Sequence, residues 1–250
     1  MKKLFFTSNT RHYHKIDGKK VPNEIDNTNG IIDQMKQLMD ANNGILYIAA
    51  SPDDSQKADS YASLIFSGFK LSGITFSNYF ILDNRTRNNA SEYIKKANVI
   101  FLSGGDTYIE NEFFNQIHLK ELLQDFKGVI IGQSAGAINM AKSVYNSPEE
   151  GDASELIYFE GLGLSDINIE PHFVLDTTEF DDMQTYQRKH LLEESQKRTI
   201  YALCDGSHIL ETDEAIIICG KSFLIKDGII TQICSDRQTC NIDAKRKHVR

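Results

Sequence analysis

Gly128-Val129-Ile130-Ile131-Gly132-Gln133-Ser134-Ala135-Gly136-Ala137-Ile138-Asn139-Met140-Ala141-Lys142 decides the fold. The stretch opens on an apolar run with no polar alternation. Such a run is a strand buried on both faces, the kind found in parallel sheets covered by helices. It closes on a segment that reads as a helix. Between them stands Gly-x-Ser-x-Gly. Gly132 and Gly136 leave room for a sharp turn, because side chains there would collide across it. The order predicts a strand, a tight turn and a helix, with Ser134 at the tip. Its oxygen then stands at the carboxyl edge of a sheet, near a helix N-terminus that favours negative charge.

Apolar runs and helical patterns alternate through the chain ahead of this turn. Strands are expected at Leu4 to Ser8, Ile45 to Ala50, Phe76 to Leu82 and Val99 to Leu102. Helices are expected at Ile31 to Met39, Tyr61 to Phe69, Ala90 to Ala97 and Ile109 to Phe126. This alternation predicts an α/β fold, a three-layer arrangement of a mostly parallel sheet with helices on both faces. Active sites of such sheets lie beyond the carboxyl ends of the strands. After the turn the character changes. Leu156 to Leu164 looks β-like, Ile167 to Phe173 reads as a strand, Asp181 to Gln196 as a charged helix and Thr199 to Cys204 as a strand. From Ser207 onward, short β segments with turn signals predict an antiparallel C-terminal appendage, with Lys226-Asp227-Gly228 as a hairpin turn. Asn9 to Pro22 reads as a long polar loop, a lid or an insertion. Residues 1–250 are expected to form a single domain.

Composition narrows the function. The net charge is −8, which argues against general nucleic-acid binding. The basic Lys245-Arg246-Lys247-His248 reads as a solvated terminus. No apolar stretch is long enough to span a membrane. The apolar run after Lys2-Lys3 is too short for a signal-peptide core, so a cytoplasmic protein is expected. Cys204, Cys219, Cys234 and Cys240 form no C-x-x-C pair and fall in β-like segments, as small buried hydrophobes do. No metal and no cofactor is expected, and the phosphate-binding glycine fingerprints are missing.

A serine hydroxyl becomes a nucleophile only when a neighbour takes its proton. His172 stands out as the base, because it ends the apolar Ile167-Asn168-Ile169-Glu170-Pro171 segment. His208 is the second candidate. His12 and His14 form an H-x-H on the polar loop, with no third metal ligand nearby. Asp205, at the end of a strand in Ala202-Leu203-Cys204-Asp205-Gly206, is the candidate acid; Glu149 and Glu170 compete with it. An oxyanion needs two donors. The Ala135 N–H is one, and Ser103-Gly104-Gly105-Asp106-Thr107 offers a second at Gly105. Asp106 is a candidate substrate contact or a helix cap.

Four stretches then resemble, in order, the dipeptidase E (aspartyl dipeptidase) and cyanophycinase family of serine peptidases. They are Phe101-Leu102-Ser103-Gly104-Gly105-Asp106, Ile131-Gly132-Gln133-Ser134-Ala135-Gly136-Ala137, Glu170-Pro171-His172-Phe173 and Leu203-Cys204-Asp205-Gly206-Ser207. The resemblance implies a class I glutamine amidotransferase-like fold with serine in place of cysteine at the turn. It implies Ser134 as nucleophile and His172 as base. The family's acid in the last stretch is often glutamate, where this chain has Asp205; Glu149 matches an acid position downstream of the nucleophile. Arg188, in Tyr186-Gln187-Arg188, resembles the dipeptidases' arginine and could pair with a substrate carboxylate. Where they carry a further arginine, this chain has Thr185. The expected protein is a serine-type peptidase, a monomer or homodimer, cleaving small peptides, Asp-X dipeptides among them, through an acyl-enzyme. A non-catalytic peptide-binding protein on the same fold is the alternative.

Overall fold

A computed structural model describes residues 3–39, 44–175 and 182–242. In chain order the first elements are β1 (Lys3–Thr7), β2 (Tyr13–Ile16), β3 (Lys19–Pro22), α1 (Ile31–Leu38) and β4 (Gly44–Ile48). Next come α2 (Ser55–Leu71), β5 (Asn78–Leu82), α3 (Ala90–Lys96), β6 (Val99–Leu102), α4 (Thr107–Gln116) and α5 (Leu119–Leu122). Then follow β7 (Val129–Gln133), α6 (Ala135–Ile138), β8 (Ser143–Tyr145), α7 (Ser154–Ile157), β9 (Tyr158–Glu160) and β10 (Asn168–Glu170). The last are α8 (Asp182–Glu194), β11 (Ile200–Leu203), β12 (His208–Glu211), β13 (Ile216–Cys219), β14 (Ser222–Lys226), β15 (Ile229–Cys234) and β16 (Thr239–Asn241).

Among the described residues, eight strands form the main sheet in the order β16-β13-β12-β1-β7-β6-β4-β5. The run from β1 to β5 in that order is parallel, and β12 joins β1 antiparallel. Strand alternation explains why the sequence showed apolar runs instead of alternating ones. Phe5, Ile45, Tyr47, Val99, Phe101, Val129 and Ile131 face α1 and α2, where they meet Met35, Ile65 and Phe69. Leu4, Phe6, Leu46, Ile48, Ile100, Leu102 and Ile130 face the other way, toward Ile94, Phe113, Phe114 and Leu119 of α3, α4 and α5. Both faces are apolar because both are covered. The fold is the three-layer α/β arrangement that the alternation implies, with antiparallel strands toward the C-terminus.

Five regions depart from the sequence reading. The Asn9–Pro22 segment is not an open loop: β2 and β3 pair as a hairpin around Asp17-Gly18. Both turn residues have positive φ, 48° and 76°, the geometry for which Asp-Gly is suited. The segment from Ile109 to Phe126 is two helices, because His118 takes a left-handed φ of 53° that a right-handed helix cannot continue. The segment from Leu156 to Leu164 begins as the short helix α7 before β9. The helix after the tight turn stops at Ile138: the Met140 and Ala141 N–H groups turn to the carbonyls three residues back, at 3.3 and 3.2 Å, and the Lys142 N–H donates away to the Ser165 carbonyl at 2.8 Å. The C-terminal strands also divide. β12, β13 and β16 extend the main sheet, while β14 and β15 join β10 and β11 in a second one. The basic segment Lys245–His248 and Asp181 lie outside the described residues.

The second sheet positions two candidate site segments. β10 and β11 are parallel neighbours, so their carboxyl ends deliver Pro171-His172 and Cys204-Asp205 side by side. β1 and β7 are likewise parallel, with Thr7 opposite Gln133. Ser8 and Ser134 therefore leave the main sheet at one edge.

Candidate active site

Ser134 caps the strand-turn-helix with φ 51° and ψ −112°. That conformation is strained for a residue with a side chain, at a cost of roughly 1–3 kcal/mol. Three backbone bonds hold it. The Ser134 N–H donates to the Thr7 carbonyl at 2.9 Å, and its own carbonyl accepts from Ala137 and Ile138 at 2.9 and 3.0 Å. The flanking glycines are required by contact. A Cβ on Gly132 would lie 2.5 Å from the Ala137 Cα, and one on Gly136 would lie 2.4 Å from the Leu102 carbonyl oxygen.

The serine oxygen makes no cap bond to its helix. Instead Ser134 Oγ lies 3.0 Å from His172 Nε2. On the other side of the ring, His172 Nδ1 lies 2.7 Å from Asp205 Oδ1. An ionised Asp205 accepts the Nδ1 proton and so leaves Nε2 free to accept from the serine hydroxyl. His172 also has positive φ, 56°, at the end of β10.

The structure adds two residues for which the sequence offered no signal. Ser8, fully buried just past β1, donates from Oγ to Asp205 Oδ1 at 2.7 Å. The same oxygen accepts the His172 N–H at 2.7 Å. One side chain thus fixes both the carboxylate and the backbone that carries the imidazole. Asn9 Nδ2 donates to the second carboxylate oxygen, Oδ2, at 3.4 Å. A serine and an asparagine after a strand have no distinctive spacing. Their role depends on β1 lying beside β7, which only the folded sheet order shows.

These contacts set the charges. Burial pushes the Asp205 carboxyl up, but the hydrogen bonds from His172 and Ser8 outweigh it and hold the group below the usual carboxylate range. The hydrogen bond to Asp205 raises the His172 pKa above its ordinary value, against the opposing effect of burial. Glu170, half-buried two residues before the imidazole, is pushed up to about 7 by burial, while the Ser147 hydroxyl donates to it.

The other candidates occupy different places. His208 is buried in the sheet with Nε2 2.8 Å from Gln34 Oε1, and burial drops its pKa to about 3. The ring is committed to α1 and not to Ser134. His12 is also buried, with Nδ1 2.7 Å from Thr10 Oγ1, so the H-x-H is no exposed metal pair. Glu149 lines the cleft, exposed, and the hydrogen bond to His172 Nδ1 is made by Asp205. Asp106 caps α4, accepting the Ile109 N–H at 2.8 Å, and it too borders the cleft. Gly105 and Arg188 line the same cleft, Arg188 from α8. The Gly104-Gly105 turn is pressed against its neighbours. A Cβ on Gly104 would touch the Ser134 Cβ at 3.4 Å, and one on Gly105 would lie 2.8 Å from Ala50. Among the described residues, neither the Gly105 nor the Ala135 N–H donates a hydrogen bond.

The cleft beside Ser134 and His172 has a volume of about 850 Å³. That is within the range of small-ligand sites, about 300–1,000 Å³. Among the described residues, no cluster of His, Cys, Asp and Glu could hold a metal ion, and no helix is long and apolar enough to cross a membrane.

Comparison with curated proteins finds no match. Among solved structures, the chain is similar to a peptidase from an acI-B1 Actinobacterium, at 14% identity over 96% of each chain and a TM-score of 0.65. It is also similar to a Listeria monocytogenes EGD-e protein assigned to peptidase E, at 16% identity over 94% of this chain and 100% of that one, with a TM-score of 0.56. At these identities the likeness is one of fold. The sequence model of Peptidase family S51 matches residues 21–219, a span that holds the strained serine, the imidazole beside it and the carboxylate behind that. The chain belongs to Peptidase family S51.

Proposed function

We propose that the protein is a serine-type peptidase that cleaves small peptides through an acyl-enzyme. The observation that carries this reading is the unbroken chain Ser134 Oγ, His172 Nε2, His172 Nδ1, Asp205 Oδ1, with links of 3.0 and 2.7 Å. Ser134 Oγ attacks the peptide carbonyl as His172 Nε2 takes its proton. The carbonyl oxygen becomes an oxyanion, held by the Gly105 and Ala135 N–H groups. Its collapse breaks the C–N bond, and His172 returns the proton to the leaving amine. Water, deprotonated by the same imidazole, then releases the acyl group.

Asp205 holds the tautomer and balances the imidazolium. It is one methylene shorter than the glutamate frequent in the family, yet its oxygen reaches the ring at 2.7 Å. That reach favours a working triad over a binding protein that has lost its chemistry. Arg188 on the cleft wall supports an acidic group in the substrate, so Asp-X dipeptides are the first substrates to test.

Ser134→Ala should abolish hydrolysis of any dipeptide the wild type cleaves. It should also abolish labelling by a fluorophosphonate, while circular dichroism stays unchanged. Wild-type turnover by this variant would remove the assignment.

A further inference from the structure

The two segments proposed to hold the oxyanion belong to different strand-helix units, and a buried polar cluster joins them. The turn Gly104-Gly105-Asp106 is fastened to α6 at both ends. On one side the Gly136 N–H donates to the Ser103 carbonyl at 3.0 Å. On the other, Asn139 Nδ2 donates to the Thr107 carbonyl at 2.9 Å. The first fastening is backbone to backbone. The second depends on the side chain of Asn139.

Asn139 is fully buried just past α6. Its amide is used at both ends. Nδ2 also donates to Glu110 Oε2 at 3.1 Å, and Oδ1 accepts from Asn111 Nδ2 at 3.1 Å. Asn111 in turn donates to the Glu160 carbonyl at 2.9 Å. Glu110 and Asn111 lie on α4, the helix that begins at the glycine turn. Glu110 is fully buried, and its other oxygen, Oε1, has no partner among the described residues. Burial drives that carboxyl well above the usual carboxylate range. A buried amide with every polar group directed at one neighbouring helix costs free energy unless it is satisfied, and it fixes a geometry when it is.

We propose that Asn139, supported by Glu110, is a positioning residue for the oxyanion site: it sets the separation between the Gly105 N–H on one unit and the Ala135 N–H on the other. This rests on the serine-peptidase reading. Removing the Asn139 amide leaves Ser134, His172 and Asp205 in contact and lets the glycine turn drift from α6. The loss then falls on charge stabilisation in the tetrahedral state, and ground-state binding is spared. Removing one oxyanion donor lowers turnover by about 10²- to 10³-fold in comparable sites, which bounds the effect of displacing one.

The test is fluorophosphonate labelling of Ser134, resolved into its maximal rate and its half-saturating concentration, because the phosphonyl oxygen occupies the oxyanion position. Asn139→Ala should slow the maximal rate by about 10²-fold and shift the half-saturating concentration by less than about threefold. Glu110→Ala should follow in the same direction. Glu110→Gln, which keeps an oxygen for Asn139 with no charge, should recover most of the rate. If Asn139→Ala fails to fold, the Glu110 pair decides alone. A folded Asn139→Ala labelling at the wild-type rate overturns the proposal. So does a Glu110→Gln variant as slow as Glu110→Ala. Wild-type protein that resists labelling and cleaves no dipeptide overturns the peptidase reading instead, a result distinct from either.

Discussion

Two units of this molecule are built alike and used differently. β6 runs into the Gly104-Gly105 turn and then α4; β7 runs into Gln133-Ser134 and then α6. Both strands are buried; one residue separates β7 from α6, while four residues separate β6 from α4. In the first unit Asp106 stands at the helix start with φ −76° and ψ 120°, relaxed, and its side chain is spent on the Ile109 N–H at 2.8 Å. In the second, Ser134 stands at the same place with φ 51° and ψ −112°, strained, and its side chain makes no cap. Its oxygen reaches His172 instead. The capped unit supplies stability. The uncapped one gives stability up to keep a hydroxyl available, which is where a chemical role is to be sought.

Three substitutions probe the contrast. The largest effect should come from Ser134→Gly. It should remove hydrolysis altogether while raising stability by about 1 kcal/mol, because glycine takes positive φ without strain. Thermal unfolding and a dipeptide assay check both halves, and a destabilised variant would break the comparison. Asp205→Asn should lower kcat/KM by about 10⁴-fold with the fold intact, since the amide favours the wrong imidazole tautomer. It should also move the pH profile. As the proposed base, His172 must be unprotonated to act, and the hydrogen bond to Asp205 raises its pKa above that of an ordinary imidazole, so the wild-type acid limb should lie above the ordinary imidazole range. In Asp205→Asn the limb should fall back toward it, and an unmoved limb would assign it to another group. The smallest effect belongs to the capped unit. Asp106→Ala should cost about 1 kcal/mol in urea unfolding, the usual worth of a cap. If it also slowed kcat more than about tenfold, Asp106 would be more than a cap.

The same contrast explains what the sequence disclosed. Parallel strands at the centre of a sheet write themselves as apolar runs, so β4, β6 and β7 were legible. Glycines that a Cβ would drive into Ala137 or Leu102 are visible as a motif, so the tight turn was legible too. Short strands are different. β12 to β16 carry no mark of which sheet they join, because three to six residues fit either surface. The hairpin from Tyr13 to Pro22 did carry its mark, Asp17-Gly18, but its exposed polar strands hid the pairing. Ser8 was illegible for another reason. Its two hydrogen bonds join residues 164 and 197 positions away, and no local pattern encodes that.

That last separation has a consequence for when the site can be complete. During synthesis Ser134 emerges well before His172, and His172 before Asp205. Ser8 has waited since the start of the chain for a carboxylate at position 205, and the Asn9 carbonyl for the Gly206 N–H that it meets at 3.1 Å. The strand β12 that closes against β1 follows directly after. Contacts this distant in sequence form late. A chain not yet made through Asp205 therefore carries the strained serine without the contacts that link it to His172 and Asp205. The Ser134, His172 and Asp205 contacts are complete only once β12 closes against β1, so folding itself sets when they form.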